Sequence, residues 1–264
     1  MTETGLSDMQ VAHHLADAAG EVILPYFRST DLGAENKLSE GFDPVTVADR
    51  AAEEAMRAVL AQHRPEDGIF GEEFPPKTSQ SGRTWVLDPI DGTRGFISGT
   101  PTWGVLIALS EGAGPVLGVV DQPYTGERFS GGAEVAEMTG PLGRKPLKCR
   151  KTTALGDAVL FTTFPEVGTK DEEAAFRRVA QEVKLTRYGM DCYAYALLAA
   201  GQIDLVIEAG LQTYDVQAPI AVVKAAGGIA TNWQGGPAHE GGQLLAAATP
   251  ELHQQAMELL NASN

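Results

Sequence analysis

The stretch that is richest in chemistry is residues 85–95 (WVLDPIDGTRG), in which an apolar run ends in two carboxylates, Asp88 and Asp91. A charged side chain at the end of a buried strand is costly unless it is paired or bound to a metal ion. Because Pro89 restricts the backbone between the two acids, we expect them to converge, with the carbonyl of Ile90 turned inward as a third oxygen. Hard oxygen ligands of this kind suit Mg²⁺ better than zinc or copper. The stretch therefore predicts a magnesium site.

Gly92 and Thr93 follow the second carboxylate and extend the predicted site. Backbone N–H groups at the start of a helix are typical partners of a phosphate oxygen, so these two residues are candidates for phosphate binding. A purely structural interpretation stays open, because Asp, Pro and Gly are the usual turn formers and the same residues fit a turn capped by an aspartate.

Three other acidic positions share this location at a strand end or a helix start: Glu72 with Glu73, Asp49, and Asp215. Taken alone, Asp49 and Asp215 also fit helix N-caps, and Glu72 with Glu73 fits a solvated acidic pair. Acids at four such locations in one chain favour a shared cation site over four independent caps.

The elements that position these residues follow from hydrophobic periodicity. Helical spacing predicts a first helix from Ser7 to about residue 27, capped by Ser7, and a second that begins at Thr46 or Asp49. Short apolar runs then predict strands at 69–71, 84–87, 105–109 and 116–120, the last two as a hairpin that turns at 111–114. The polar segment 75–82 is predicted to be a mobile surface loop.

After residue 145 helices and strands alternate, with strands at 159–161 and 203–207 and helices at 171–183, 191–200 and 214–226. The pattern predicts an α/β protein with mixed α+β layers. We expect one domain over 1–264, in which 1–148 form an N-terminal α+β half with the metal site and 149–264 a C-terminal α/β half. Pro219 lies in the last of these helices, either within its first turn or as a kink.

Composition narrows the function class. The chain has 264 residues, 43% hydrophobic, with 20 Lys and Arg against 35 Asp and Glu, so its net charge of −15 disfavours nucleic acid and anionic membranes as partners. It has two cysteines and neither a signal-peptide pattern nor an apolar stretch long enough to span a membrane, which predicts a cytoplasmic protein. The P-loop, serine-esterase, dinucleotide and zinc motifs are absent from the sequence.

With these motifs in view, the sequence resembles the inositol monophosphatase family, the Mg²⁺-dependent, lithium-sensitive phosphatases of small molecules. The resemblance rests on four ordered motifs, at residues 43–49, 71–73 (GEE), 85–93 (WVLDPIDGT) and 214–228 (YD to AGG). It implies alternating layers of helices and sheets of the inositol monophosphatase/fructose-bisphosphatase type. It also implies a homodimer that hydrolyses a small phosphate ester.

The resemblance assigns roles to the acidic positions and to their neighbours. It implies about two or three Mg²⁺ ions per site, held by Glu72, Asp88, the Ile90 carbonyl, Asp91 and Asp215. Gly92 and Thr93 are implied to bind phosphate, and the catalytic residues that activate water are implied to be Glu72, Thr93 and Asp49.

Within the family, segments 94–104, 191–195, 208–211 and 231–233 resemble the histidinol-phosphatase branch. The implied reaction converts L-histidinol phosphate to L-histidinol and phosphate in histidine biosynthesis, with Asp191 and Glu208 as acids that bind an amine and an imidazole. The alternatives are an inositol-1-phosphatase or a broad sugar and polyol phosphatase, and a catalytically silent binding protein on the same scaffold.

The sequence departs from the pattern of the family at three places. Gly95 stands where Ser is usual, Met190 stands where the branch often has Gly, and Pro219 falls inside a helix. Asp191 also fits the N-cap of the helix at 191–200. Cys192 is predicted to be a packed small residue and not a nucleophile, because no histidine adjoins it in sequence.

Overall fold

The structure of the chain is a computed structural model that describes residues 5–29, 34–36 and 44–262, with segments 34–36 and 44–46 described by their backbone alone. Asp43, which opens the first family motif, lies outside these residues. None of the helices in the described ranges combines the length and the apolar composition needed to cross a membrane.

Two amphipathic helices and a short strand pair come first: α1 (Asp8–Ile23), β1 (Ala34–Asn36), β2 (Pro44–Thr46) and α2 (Val47–His63). Ser7 caps α1 as predicted, since its hydroxyl accepts the N–H of Gln10 while the Gln10 side chain accepts the N–H of Ser7. β1 and β2 pair antiparallel, and Asp49 lies in the first turn of α2 as predicted. The two helices pack against each other.

The next part of the chain forms a seven-stranded sheet. Its elements are β3 (Gly68–Gly71), β4 (Thr84–Asp91), α3 (Thr93–Ser98), β5 (Gly104–Ser110), β6 (Pro115–Gln122), β7 (Glu127–Gly132), β8 (Ala136–Gly140) and β9 (Gly143–Pro146). The strands lie in sequence order; β3 and β4 are parallel, and the later neighbours are antiparallel. The four predicted strands and the β5–β6 hairpin are confirmed.

The C-terminal part forms a five-stranded sheet with four helices. Its elements are β10 (Val159–Thr162), α4 (Lys170–Ala180), β11 (Leu185–Tyr188), α5 (Tyr193–Ala199), β12 (Leu205–Leu211), α6 (Thr213–Ala225), β13 (Ile229–Thr231), β14 (Gly242–Ala247) and α7 (Pro250–Leu260). The strand order is β11-β10-β12-β14-β13, with β10 parallel to both of its neighbours and β14 antiparallel to both of its own.

The two sheets stack between three layers of helices. Leu87 and Ile107 pack against α1 and α2 on one face of the first sheet, whereas Val86 and Leu106 belong to the core that surrounds α5 and α6. The second sheet closes that core from the far side, and its other face, with Leu205, packs against α4 and α7. The order is helices, sheet, helices, sheet, helices, which confirms the predicted α/β class with alternating layers.

Two details of the C-terminal helices decide between alternatives that the sequence leaves open. The helix predicted at 191–200 begins at Tyr193, and Cys192 takes the N-cap position, so Asp191 is not the cap. Pro219 lies inside α6 and beyond its first turn, where it cannot donate a hydrogen bond to the carbonyl of Asp215. The side chains of this part of α6 are buried between the sheets, and this packing holds the helix together across the proline.

The polar segment 75–82, predicted to be mobile, is hydrogen-bonded to its surroundings. Lys77 exchanges two backbone hydrogen bonds with Ile69 of β3, and the N–H of Gln80 donates to the carbonyl of Glu66. These bonds fix the segment beside β3, next to the loop that carries Glu72.

Candidate active site

The end of β4 carries the two acids that the sequence singles out. The pairing of β4 with β5 shifts register between Asp88 and Asp91, at the place where Pro89 has no N–H to give to the ladder. Asp88 is 2% exposed, and its Oδ1 accepts the N–H of Ile90 at 3.1 Å. The irregularity brings both carboxylates to one side of the sheet, as the sequence predicts.

Asp215 completes a cluster with these two residues, although it comes from the other half of the chain. It is the third residue of α6, and its Oδ2 accepts the N–H of Gln212 at 2.7 Å, which fixes the side chain at the helix start. One oxygen from each of Asp88, Asp91 and Asp215 lies within 4.8 Å of the other two. Three oxygen donors at this spacing are a donor set for a hard divalent cation.

The electrostatics of the cluster also fit a cation. Burial raises the pKa of Asp88 well above its usual range, and the charges of Glu72, Asp91, Asp215 and Asp49 raise it further. Burial likewise raises the pKa of Asp91, with Asp215 and Asp191 adding to the effect. Carboxylates packed this closely repel one another when ionised, and a bound cation removes that repulsion.

Glu72 and the three acids of the cluster line one cleft. Helix α2 holds the loop of Glu72 in place. Glu53, fully buried on α2, accepts the N–H of Glu73 at 2.7 Å and the Nε–H of Arg57 at 2.7 Å. Gly71 packs so closely on this carboxylate that no Cβ would fit there. Glu72 is thus brought to the cluster, while Glu73 is engaged through its backbone.

The proposed phosphate-binding residues line this cleft, whose volume is about 350 Å³. Gly92 has φ of +84°, a left-handed conformation that favours glycine, and it precedes the short helix α3. Thr93 donates its hydroxyl hydrogen to the carbonyl of Ile90 at 3.3 Å. Both residues line the cleft together with Ile90, as the sequence predicts. Asp49 is buried close enough for its charge to raise the pKa of Asp88.

A second cavity of about 220 Å³ adjoins this cleft, and the two share Asp91, Asp191 and Asp215 in their walls. Both acids predicted to bind substrate, Asp191 and Glu208, line the second cavity. The structure therefore brings the predicted metal, phosphate and substrate residues into one continuous depression. We refer below to the first cavity as the acid cleft and to the second as the side pocket.

Glu208 is held rigidly in the side pocket. Its carboxylate accepts hydrogen bonds from the backbone N–H of Thr163 at 2.9 Å, from the Thr163 hydroxyl, and from the Tyr195 hydroxyl at 2.9 Å. Burial raises the pKa of Glu208 to about 7, against these hydrogen bonds, which lower it. Its charge therefore changes near neutral pH.

Sequence reasoning missed several residues of this depression. Thr163 directly follows β10, but its hydroxyl carries no charge, so the rule that located the acids at strand ends does not single it out. Phe164 and Arg94 line the acid cleft as a stacked pair, with the guanidinium 4.9 Å from the ring centre. No signal in the sequence joins two residues so far apart in the chain.

Comparisons with known proteins identify the family of the chain. The model of the inositol monophosphatase family matches residues 7–264. The bifunctional phosphatase IMPL2, chloroplastic, of Arabidopsis thaliana is 42% identical over 265 residues, which are 95% of this chain and 74% of that protein. A histidinol-phosphatase of Streptomyces coelicolor is 35% identical over 97% of each chain.

Solved structures give the same answer for the fold. An inositol monophosphatase from Zymomonas mobilis matches with a TM-score of 0.85 at 42% identity, over 97% of this chain and 98% of that one. The resemblance found in the four sequence motifs is thereby confirmed. Its named relatives are phosphatases, and the chain belongs to the inositol monophosphatase family.

Proposed function

We propose that the protein is a Mg²⁺-dependent phosphomonoesterase that hydrolyses L-histidinol phosphate to L-histidinol and phosphate in histidine biosynthesis. The observation that carries the proposal is the continuity of the acid cleft with a side pocket that is itself acidic, through the shared residues Asp91, Asp191 and Asp215. A phosphate bound beside the first set of acids would place its alcohol half beside the second.

The proposal that the acid cleft binds metal and phosphate rests on the cluster of oxygen donors. Asp88, Asp91 and Asp215 would hold Mg²⁺, together with the Ile90 carbonyl and Glu72 in the wall of the acid cleft. When bound, Mg²⁺ supplies positive charge to the phosphate oxygens and lowers the pKa of a bound water. Gly92 and Thr93 would hold the phosphate through their N–H groups. Glu72, Asp49 and the Thr93 hydroxyl would orient the attacking water, and a carboxylate of this set would accept its proton.

The proposal that the side pocket binds the alcohol part of the substrate rests on the charge and shape of this pocket. Asp191 and Glu208 line the pocket together with the aromatic residues Phe164 and Tyr195. Carboxylates beside aromatic rings bind an ammonium group and an imidazole through charge-assisted hydrogen bonds and ring contacts. The histidinol-phosphatase of Streptomyces coelicolor among the relatives supports this substrate over a neutral polyol.

An inositol phosphatase is the second candidate, and one observation favours it. The pKa of Glu208 of about 7 leaves this acid partly protonated at neutral pH, and a protonated carboxyl can donate to a hydroxyl as well as accept from one. The similarity to the Zymomonas mobilis inositol monophosphatase points the same way. A silent binding protein is disfavoured, because the acids of the motifs are all present.

Three further expectations remain part of the proposal. The cysteines at 149 and 192 are buried and free, in keeping with a reducing, cytoplasmic compartment. We propose that 1–264 form one domain, since α6 of the C-terminal half packs against strands of the first sheet. A homodimer is proposed from the family resemblance alone.

The experiment is phosphate release from L-histidinol phosphate with Mg²⁺ and with excess EDTA, for the wild type, Asp88→Asn and Asp215→Asn. We expect release to need the metal and each variant to lose at least about 100-fold in kcat/KM, or about 2.7 kcal/mol of transition-state stabilisation. Mg²⁺ binding to the same proteins, measured by calorimetry, should weaken in parallel. Asp171→Asn changes an exposed acid of α4 and serves as the matched control. Full activity in EDTA, or in either cluster variant, would overturn the proposal.

A further inference from the structure

Asp191 lies at the junction of the acid cleft and the side pocket and lines both. Its backbone has φ of +44°, a left-handed conformation that aspartate tolerates better than most residues. This conformation, just before the N-cap of α5, sets the direction from which the side chain enters the junction. The carboxylate itself can still rotate, so something else must fix its orientation.

Thr102 supplies that contact from a distant part of the chain. Its hydroxyl donates to Oδ2 of Asp191 at 3.1 Å, from the segment that leads into β5. Arg94 also places its positive charge close enough to act on the same carboxylate. The two oxygens of a carboxylate accept about four hydrogen bonds in all, so the contact leaves capacity for a ligand.

Gly92 and Gly95 make room for Thr102 and Asp191. A Cβ added at Gly95 would lie 2.8 Å from the Thr102 hydroxyl oxygen and 3.3 Å from Oδ2 of Asp191. A Cβ added at Gly92 would lie 2.8 Å from both Cβ and Cγ of Asp191. Glycine at both positions therefore leaves the space in which Thr102 and Asp191 meet.

The position of the pair fixes which part of a substrate it would meet. The junction lies between the residues proposed to bind metal and phosphate and the pocket proposed to bind the alcohol. A substrate that spans both would present there the carbon that follows its ester carbon. A carboxylate held at that point favours an ammonium group on that carbon, since the pair forms a charge-assisted hydrogen bond in a partly buried place.

We propose that Thr102 is a positioning residue that sets the preference for phosphate esters of amino alcohols, by holding Asp191 in the space left by Gly92 and Gly95. The inference rests on the proposed function, because it needs the substrate to span both cavities. It goes further by naming the group that Asp191 recognises and the residues that determine it. Asp191 would contact the substrate, whereas Thr102 acts through Asp191.

The test compares L-histidinol phosphate with 3-(imidazol-4-yl)propyl phosphate, which has the same ring and phosphate but lacks the amine. The readout is the ratio of the two kcat/KM values, the amine preference. Thr102→Val keeps the size of the side chain and removes the hydroxyl, so we expect the preference to fall at least about fivefold, mainly through the KM of the amino ester. Thr102→Ser restores the hydroxyl and should restore the preference.

Two more variants sharpen the result. Gly95→Ser fills the space beside the pair and should lower the preference as Thr102→Val does. Thr125→Val is the matched control, because it makes the same change at a threonine whose hydroxyl bonds Gln122 and Glu127, and it should leave the preference unchanged. Near-ultraviolet circular dichroism of each variant checks that it is folded.

The outcomes separate the inference from the proposed function. A wild-type preference that survives in Thr102→Val and in Gly95→Ser would overturn the role of Thr102 and leave the proposed function standing. A wild type that shows no amine preference would contradict recognition of the amine at this junction and the inference with it. If Thr102→Val is recovered unfolded, Gly95→Ser decides, and a preference retained there overturns the inference.

Discussion

The backbone N–H of Cys192 donates a hydrogen bond to Oδ2 of Asp91 at 2.7 Å. The bond joins the N-cap of α5, in the C-terminal half, to the last residue of β4 in the first sheet. One acid of the cluster is therefore oriented by a residue about one hundred positions later in the chain. The C-terminal half also contributes Asp215 to the cluster. The site exists only when both halves are packed together.

Cys192 and Cys149 should react slowly with alkylating reagents in the folded protein. Burial raises the pKa of the Cys149 thiol to about 11, and burial next to the negative charge of Asp91 raises that of Cys192 well above its usual range. Two pKa units lower the reactive thiolate fraction about 100-fold. We expect native labelling by iodoacetamide at pH 8 to be slower than labelling in urea by at least that factor, measured for each peptide by mass spectrometry. Native labelling of Cys192 at the rate of an exposed thiol would contradict its placement.

Glu53→Ala should destabilise the fold. The substitution leaves Arg57 without its buried partner and the N–H of Glu73 without its acceptor. Breaking a buried ion pair by removing one partner costs about 3 kcal/mol or more. Urea unfolding in EDTA measures the loss, and Glu54→Ala, the exposed neighbour on α2, should stay within about 0.5 kcal/mol of the wild type. Equal stability of the two variants would show that the Glu53 contact has no such role.

The acids of the site were predictable because a charge at the end of an apolar run conflicts with burial. Asp88, Asp91, Glu72 and Asp215 all carry that conflict, so the sequence alone located them. Thr163 lies at an equivalent strand end, but burial of a neutral hydroxyl costs much less than burial of a charge. The sequence therefore gives no signal at this position.

The rest of the fold was predictable only where apolar runs mark it. β8 and β9 contain charged and exposed residues such as Glu137, Arg144 and Lys145, so no apolar run revealed them. The contact of Thr102 with Asp191 joins residues that only the packing of the two halves brings together. Pairings of this kind have no local signature in a single sequence.

Gly118→Ala should destabilise the packing of α6 on the first sheet. A Cβ at Gly118 in β6 would lie 2.5 Å from the carbonyl oxygen of Ala218 and 2.8 Å from the Cβ of Ala221. Overpacking of this kind costs about 1–3 kcal/mol. Gly156→Ala is the control, because no atom lies within 4 Å of a Cβ there and its backbone φ is not positive. Thermal unfolding of both variants tests the close approach, and an unchanged Gly118→Ala midpoint would contradict it.

Glu208 should make folding stability depend on pH. Its pKa is about 7 in the folded protein and near the ordinary value of 4.5 when unfolded, so the folded state binds the proton more tightly. The contribution of the protonated Glu208 carboxyl to folding stability is complete below pH 4.5 and is lost as pH rises through 7. Between these limits the wild type should lose about 3 kcal/mol relative to Glu208→Gln, measured by urea unfolding of the metal-free proteins across the range. Parallel pH profiles for the two proteins would contradict the raised pKa.

We propose that one depression holds a metal-bound phosphate at one end and a cationic amino alcohol at the other. The most direct test measures kcat/KM for L-histidinol phosphate and for inositol 1-phosphate side by side, each with Mg²⁺ and with excess EDTA. We predict a preference of at least about tenfold for L-histidinol phosphate, worth about 1.4 kcal/mol in the transition state, and no release from either ester in EDTA. Equal or higher efficiency with inositol 1-phosphate, or release that persists in EDTA, would contradict the account.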